Sequence, residues 1–179
     1  MNELLIVNIK GLVQVRESTP DYVAGRDQAV LPVAGDAFLH IKDGLIFNYG
    51  PMNDLRDTPV TTIDASGSFV FPCFVDSHTH MVFGASRETE FVQKIHGASY
   101  EEIAAKGGGI LNSAKVLGTL SEDRLLELAI PRAWEIIRSG TGAVEIKSGY
   151  GLNVRDELKM LRVAKRIARE TPLTVKTTF

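Results

Sequence analysis

Two histidines spaced one residue apart are the side chains of this sequence with the clearest capacity for chemistry. His78 and His80 follow an apolar run that ends in Asp76. In an extended strand, side chains alternate between the two faces, so residues i and i+2 point the same way. Two imidazoles that converge at the end of a strand can bind a metal ion. The same spacing also suits two solvated side chains just beyond a strand, so it indicates a metal site without requiring one.

The strands and helices that would position these histidines fall into two parts. Strand patterns dominate residues 1–70, where the Asp43-Gly44 pair between two apolar runs predicts a tight hairpin. This part is expected to be a small antiparallel β unit, similar to a β-sandwich. Residues 71–179 alternate between strand and helix patterns, which predicts an α/β fold built from parallel βαβ units. The predicted helices cover residues 88–96, 100–106, 121–138 and 155–170.

Composition and charge restrict the classes of function. The chain has 179 residues, 44% of them apolar and 23% charged, as in an ordinary globular protein. A net charge of −2 gives no electrostatic reason to bind nucleic acid or an anionic membrane. No apolar run approaches the ~18 residues of a membrane helix, and the N-terminus lacks the features of a signal peptide. Cys73 is the only cysteine, so no intramolecular disulfide is possible, and we expect a cytoplasmic protein.

The alternation after residue 70 is typical of the first part of a (β/α)8 TIM barrel. A complete barrel takes about 250 residues, and residues 71–179 provide only about three of its eight strands. The sequence ends at Phe179, in or just after an apolar strand, which would leave a parallel edge unpaired. We therefore expect an incomplete barrel and a longer polypeptide. A small three-layer α/β domain that is complete as it stands is the alternative.

A barrel places its reactive groups at the carboxyl ends of its strands. His78 and His80 follow the first predicted barrel strand, where a metal would be expected. Tyr150 follows the second, between Gly149 and Gly151, which allow the backbone to turn tightly and bring the phenol close to a ligand. Without further information, a packing aromatic in a loop is the commoner role for such a tyrosine.

Longer motifs in the second part resemble one group of enzymes. The segment 76–80, Asp-Ser-His-Thr-His after a Phe-Pro-x-Phe-Val strand, resembles the amidohydrolase superfamily. The segments 97–104, Gly-Ala-Ser-Tyr-Glu-Glu-Ile-Ala, and 145–152, Glu-Ile-Lys-Ser-Gly-Tyr-Gly-Leu, are similar to the imidazolonepropionase family of that superfamily. The resemblance extends over about residues 70–179 and, more loosely, over the N-terminal part.

This resemblance implies a reaction and a set of site residues. The implied reaction is hydrolysis of a ring C–N bond, which converts 4-imidazolone-5-propanoate to N-formimidoyl-L-glutamate in histidine degradation. One zinc or iron ion would be held by His78 and His80, together with a His and an Asp beyond Phe179. Arg87 and Tyr150 fall at the substrate-binding positions of the family. The guanidinium of Arg87 would match the carboxylate of the substrate with two parallel hydrogen bonds. The general acid and base would also lie downstream, so no catalytic residue is assigned on this chain.

Two other functions are compatible with the sequence. One is a different amidohydrolase, such as a deaminase that acts on a purine-like ring. The other is a truncated or degenerate amidohydrolase that has no catalytic role. Two histidines do not complete a hydrolytic metal site, so residues 1–179 alone are expected to be inactive. The expected partner is a small carboxylate-bearing substrate, with no nucleic acid and no membrane. Metal identity and subunit number stay open, a homodimer being one option. Without the family resemblance, Arg87 would be assigned to a surface pair with Glu88 or Glu90.

Overall fold

The computed structural model describes residues 3–16, 18, 20–56 and 61–179. These residues form two compact units, one ending at Pro72 and the other running from Cys73 to Phe179. Within the described ranges each unit contains its own sheet, five-stranded in the first and three-stranded in the second. The boundary lies just before the strand that carries His78.

The first unit is built on strand β1, which pairs along both of its edges. The sheet order is β3-β2-β1-β4, and β5 also pairs with β1 beside β4. The apolar residues that are buried together against this sheet are Ile9, Leu12, Ala37 and Leu39. The five strands are β1 (Glu3–Val13), β2 (Val33–Lys42), β3 (Leu45–Pro51), β4 (Thr61–Asp64) and β5 (Phe69–Val70).

The predicted Asp-Gly hairpin is confirmed. Asp43 and Gly44 join β2 to β3 with φ angles of 50° and 81°, the left-handed values that a two-residue type I′ turn needs. An aspartate tolerates this region better than most residues and glycine enters it without steric cost, so the pair specifies the turn locally.

The expectation of an antiparallel unit is correct for only part of this sheet. Strands β1, β2 and β3 are antiparallel, but β4 and β5 run parallel to β1. Parallel strands require a crossover connection, and the chain after β3 crosses to the opposite edge of β1. Strand direction depends on this long-range pairing, which the local residue pattern does not contain. The likeness to a β-sandwich stays a prediction.

The second unit has three parallel strands in the order β6-β7-β8. The predicted parallel βαβ arrangement is therefore confirmed, whereas its closure into a barrel stays a prediction. The strands are β6 (Phe74–Thr79), β7 (Thr141–Lys147) and β8 (Thr174–Thr178). The helices are α1 (Glu88–Ile95), α2 (Tyr100–Ala105), α3 (Ile110–Thr119), α4 (Glu122–Arg138) and α5 (Val154–Glu170). No helix of the described chain is both long and apolar enough to span a bilayer.

The helix boundaries follow local capping chemistry. The Ser121 hydroxyl accepts a hydrogen bond from the Arg124 amide at the start of α4, and the Asn153 side chain does the same for Asp156 in α5. Such caps satisfy amide groups that have no partner within the helix. Helix α3 was not predicted from the sequence, because the glycines before it and Gly118 within it weaken its helical pattern.

The core of the second unit lies between the sheet and the two long helices. Val144 and Ile146 of β7 face the buried side of α5, which contributes Val163 and Ile167, and all four are at most 2% exposed. Alternation along β7 leaves its other face to polar side chains. That other face leads to the candidate site.

Strand β6 is exposed, although its apolar run of residues is typical of a buried strand. Phe74 is 66% and Val75 is 73% exposed. The reason is its position at the edge of the sheet, where β7 is its one neighbour among the described strands. An apolar run indicates a strand but does not determine how many neighbours cover it.

Candidate active site

The structure brings the two histidines together at the carboxyl end of β6. His78 is in the strand and His80 directly follows its last residue. Their ring centroids are 5.3 Å apart, with an angle of 69° between the ring planes. Two nitrogens bound tetrahedrally to one zinc lie about 3.4 Å apart, with the ring centres farther out. The observed spacing therefore suits a shared cation.

One ring nitrogen of this pair has no hydrogen-bond partner among the residues that the structure describes. The Nδ1 atom of His80 is buried and makes no hydrogen bond within the described residues. Buried polar atoms without a partner are uncommon and costly, and a metal or substrate atom would satisfy this one. The described residues contain no group of three or more His, Cys, Asp or Glu side chains able to hold a metal. The pair thus fits a metal ion as part of a larger ligand set.

The backbone that follows His80 is firmly anchored. Met81 and Val82 are 4% and 0% exposed and belong to the core of the unit. Arg132 of α4 donates from Nη1 to the carbonyl oxygens of Met81 and Phe83, at 3.1 and 3.2 Å. Its guanidinium also lies 3.4 Å from the centroid of the Phe83 ring. The role of Arg132 was not predicted from the sequence, because Arg132 is 51 residues from Met81 and no local pattern indicates such a contact.

Tyr150 lies beside the histidine pair, as its position after β7 led us to expect. Its ring centroid is 5.3 Å from that of His80, with an angle of 62° between the ring planes. The ring is also partly buried against the apolar core. Both interpretations weighed from the sequence therefore describe this side chain: it packs in the loop and it borders the candidate site.

A buried carboxylate that sequence reasoning missed holds the loop between β7 and α5. The Oε2 atom of Glu157 accepts from the Gly149 amide at 2.6 Å. Its Oε1 atom accepts from the amides of Gly151 and Leu152 at 2.7 and 2.9 Å. Glu157 is only 8% exposed. These hydrogen bonds hold the backbone on both sides of Tyr150, so Glu157 positions the Tyr150 side chain. The spacing from the Gly-Tyr-Gly segment to an acid in the first turn of α5 is the signal that could have revealed it.

Substitution of Glu157 by Gln tests this role. Burial alone would raise the pKa of Glu157, but hydrogen bonds from Ser148 and the loop amides outweigh it and lower the pKa. The carboxylate therefore stabilises the fold above about pH 4.3, and this contribution is lost as the pH falls through the lowered value. An amide has one acceptor atom and cannot serve both sets of donors. We expect the free energy of unfolding at pH 7 to fall by about 1–3 kcal/mol, and its acid dependence to become weaker.

The measurement uses Trp134, the single tryptophan, which lies in α4 of the same unit. Denaturant unfolding followed by its fluorescence at pH 7 and below pH 4 gives both quantities. Glu170→Gln is the control, because Glu170 is an exposed acid at the end of α5 and should change stability by no more than about 0.5 kcal/mol. Equal losses in the two variants would contradict the role of Glu157.

Arg87 lies at the N-terminus of α1 and forms the surface pair expected from its sequence neighbours. Its Nε donates to Oε2 of Glu90 at 2.7 Å. The pKa of Arg87 is raised, mainly by this hydrogen bond and also by the electrostatic effect of Tyr150 and Tyr100. The side chain of Arg87 remains 40% exposed. The pair with Glu90 leaves part of the guanidinium available to a ligand.

The polar face of the sheet carries an ion pair next to the histidines. Lys147 and Thr178 donate to the same oxygen of Glu145, at 2.7 and 2.6 Å. These two hydrogen bonds lower the pKa of Glu145, and His78 adds a smaller electrostatic contribution. Lys147 balances the charge of Glu145, so the pair holds this carboxylate in place on the polar face of the sheet.

Comparison with known sequences identifies relatives of this chain. No family model matches it. The imidazolonepropionase of Flavobacterium johnsoniae is 52% identical over 176 residues, which cover 98% of this chain and 43% of that protein. The imidazolonepropionase of Christiangramia forsetii is 49% identical over 177 residues, with the same coverage of 98% and 43%. The chain therefore spans about two fifths of the length of the curated relatives it matches.

Solved structures with the same fold are hydrolases and deaminases. A triazine hydrolase variant superposes with a TM-score of 0.70 at 18% identity, over 98% of this chain and 35% of that one. Guanine deaminase of E. coli gives a TM-score of 0.66 at 13% identity, over 99% of this chain and 36% of that one.

The parallel βαβ units give this chain the fold of these hydrolases and deaminases, and a histidine pair lies at the end of its first parallel strand. By sequence, the chain is a relative of the imidazolonepropionases, and it corresponds to part of their length. The family resemblance drawn from the motifs is thereby confirmed.

Proposed function

We propose that this chain belongs to a cytoplasmic metal-dependent hydrolase that opens the ring of 4-imidazolone-5-propanoate and yields N-formimidoyl-L-glutamate, a step of histidine degradation. In this proposal, residues 71–179 contribute the first βα units of a TIM barrel. The observation that carries the proposal is the meeting of His78, His80 and Tyr150 at the carboxyl end of neighbouring parallel strands. Barrel enzymes keep their reactive groups at this end.

The histidine pair would hold one zinc or iron ion. When bound, such an ion supplies a nucleophile at neutral pH, because it lowers the pKa of bound water toward about 7. Imidazole nitrogen suits both metals, and the buried Nδ1 of His80, which has no partner in the described part of the chain, supports a ligand at this point. The remaining ligands and the acid and base that move protons would come from other parts of the polypeptide.

Arg87 and Tyr150 would bind the substrate. The propionate of the substrate requires a cation, and the partly exposed guanidinium of Arg87 offers two parallel donors to a carboxylate. The phenol of Tyr150 lies next to His80, so it would contact the ring while Arg87 holds the propionate. Two separate anchors would keep the scissile bond beside the metal, which lowers the entropic part of the barrier.

A deaminase is the second candidate. Guanine deaminase and 5-methylcytosine deaminase share this fold, and both are named for reactions on nitrogen heterocycles. A purine or pyrimidine ring has no propionate, so a deaminase would have no need for a carboxylate-binding arginine. The partly exposed guanidinium of Arg87, which can offer two parallel donors to a carboxylate, therefore favours the imidazolone. A chain without catalytic function is the third reading.

Turnover by two proteins distinguishes these candidates. We expect the polypeptide encoded by the complete reading frame around this chain, loaded with zinc or iron, to convert the imidazolone to formimidoylglutamate, detected by mass spectrometry. The 179-residue chain alone should show no turnover above background, because it has two metal-binding histidines where catalytic sites use three protein ligands.

Each other result has a distinct meaning. Ammonia release from guanine or 5-methylcytosine without opening of the imidazolone would identify a deaminase. Inactivity of the metal-loaded complete polypeptide toward all three compounds would indicate a chain without catalytic function. Robust imidazolone hydrolysis by the 179-residue chain would refute the argument from ligand number.

A further inference from the structure

One carboxylate in the second unit joins Arg87 to a glycine-rich loop. The Oε2 atom of Glu90 accepts from Nε of Arg87 at 2.7 Å and from Nη2 of the same guanidinium. Its Oε1 atom accepts from the amide of Gly109 at 2.8 Å. The side chain of Glu90 is 14% exposed, whereas that of Arg87 is 40% exposed. Glu90 thus uses both of its oxygens within the protein.

The geometry of this pair leaves one edge of the guanidinium available. A guanidinium carries five N–H donors in a planar fork. Glu90 takes the inner edge, formed by Nε and one hydrogen of Nη2. The outer edge, formed by Nη1 and the second hydrogen of Nη2, keeps the two parallel donors that a ligand carboxylate needs. A free arginine samples many rotamers, and a fixed inner edge removes much of that freedom before a ligand arrives.

The glycine loop packs directly against the same carboxylate. Gly107 and Gly109 have φ angles of 83° and 84°, which residues with a Cβ rarely adopt. A Cβ on Gly108 would lie 3.1 Å from Oε1 of Glu90 and 2.8 Å from Cγ2 of Ile103. A cavity of about 220 Å³ opens at this point, and Arg87, Glu90, Gly107 and Gly108 are among its lining residues.

We propose that Glu90 is a positioning residue for substrate binding: it orients the outer edge of Arg87 toward the substrate carboxylate and ties the loop of residues 107–109 to the same place. This inference rests on the proposed function. A glutamine cannot replace Glu90, because its amide group has only one acceptor atom for two sets of donors. The pKa of Glu90 is lowered, first by Arg87 and then by the Gly109 amide, in agreement with a carboxylate that is charged in both contacts.

Kinetics of the Glu90→Gln variant test the proposal. The metal-loaded complete polypeptide should show a KM for the imidazolone raised about 10-fold, with kcat within about twofold, because an anchor of bound substrate is disturbed. Glu88→Gln is the matched control: Glu88 also lies in the first turn of α1, but it pairs with Ser86. Its KM should stay within about twofold. In an Arg87→Lys background, Glu90→Gln should raise KM little further, since both act through one contact.

A second measurement does not depend on turnover. Hydrogen exchange at the Gly109 amide should be faster in Glu90→Gln than in the wild type and the Glu88→Gln control. Normal wild-type turnover with an unchanged KM in Glu90→Gln would overturn the inference and leave the proposed function intact. An inactive wild type would refute the proposed function. Faster exchange at Gly109 in Glu90→Gln would then still support the link that Glu90 makes between Arg87 and the loop of residues 107–109. Unchanged exchange would overturn that link.

Discussion

Replacement of His80 by alanine is expected to remove both the metal and the activity of the complete polypeptide. His80 and His78 present their rings 5.3 Å apart, and a buried nitrogen of His80 has no partner in the described chain. Loss of one imidazole leaves the cation with an incomplete ligand set. The activation of water by a metal contributes several kcal/mol to the rate, so turnover should fall by roughly 10³-fold or more. Metal content by plasma mass spectrometry and kcat/KM measure the two effects.

His96→Ala is the matched control for this experiment. His96 is an exposed histidine at the end of α1. It should leave metal content and turnover unchanged, which separates loss of the site from loss of any imidazole. His78→Ala should reproduce the result for His80. Full metal occupancy in both the His78→Ala and His80→Ala variants would show that the ion binds elsewhere, and the proposed function would lose its main support.

Replacement of Arg87 by lysine should raise KM for the imidazolone and leave kcat nearly unchanged. Lysine keeps the positive charge but has no planar fork, so it cannot offer two parallel hydrogen bonds to a carboxylate while its other side is held by Glu90. A hydrogen bond to a charged group is worth about 1.5–3 kcal/mol, which corresponds to an increase in KM of roughly 10- to 100-fold. Steady-state kinetics of the complete polypeptide provide the test.

Arg124→Lys serves as the control for this substitution. Arg124 is also an arginine paired with a glutamate three residues later, Glu127, and both side chains are more than half exposed. Its replacement should change neither KM nor kcat. A fall in kcat at constant KM in Arg87→Lys would place the effect of Arg87 in the transition state and contradict a role in holding bound substrate.

Features that short segments of the sequence encode were predicted correctly. The Asp43-Gly44 turn and the helices predicted over residues 121–138 and 155–170, observed as α4 and α5, each depend on residues close together in the chain. The histidine pair is also local, because the alternation of a strand brings residues i and i+2 to the same side. The family resemblance, carried by such short motifs, was confirmed for the same reason.

Several features that depend on distant residues were not predicted. The direction of β4 and the exposure of β6 follow from which strands become neighbours. Arg132 anchors the segment after His80 through hydrogen bonds between positions about 50 residues apart. No local sequence pattern indicates these contacts.

By itself, the sequence determined most of the secondary structure around the candidate site, the pairing of the two histidines and the family resemblance, because hydrogen bonding, side-chain alternation and turn chemistry act over a few residues. Only the tertiary structure decided which groups hold the functional side chains. Glu157 under the Tyr150 loop and Glu90 between Arg87 and Gly109 acquired their roles when folding placed both oxygens of each carboxylate against unsatisfied donors. A buried carboxylate must find such partners, and its surroundings exist only after the chain has folded.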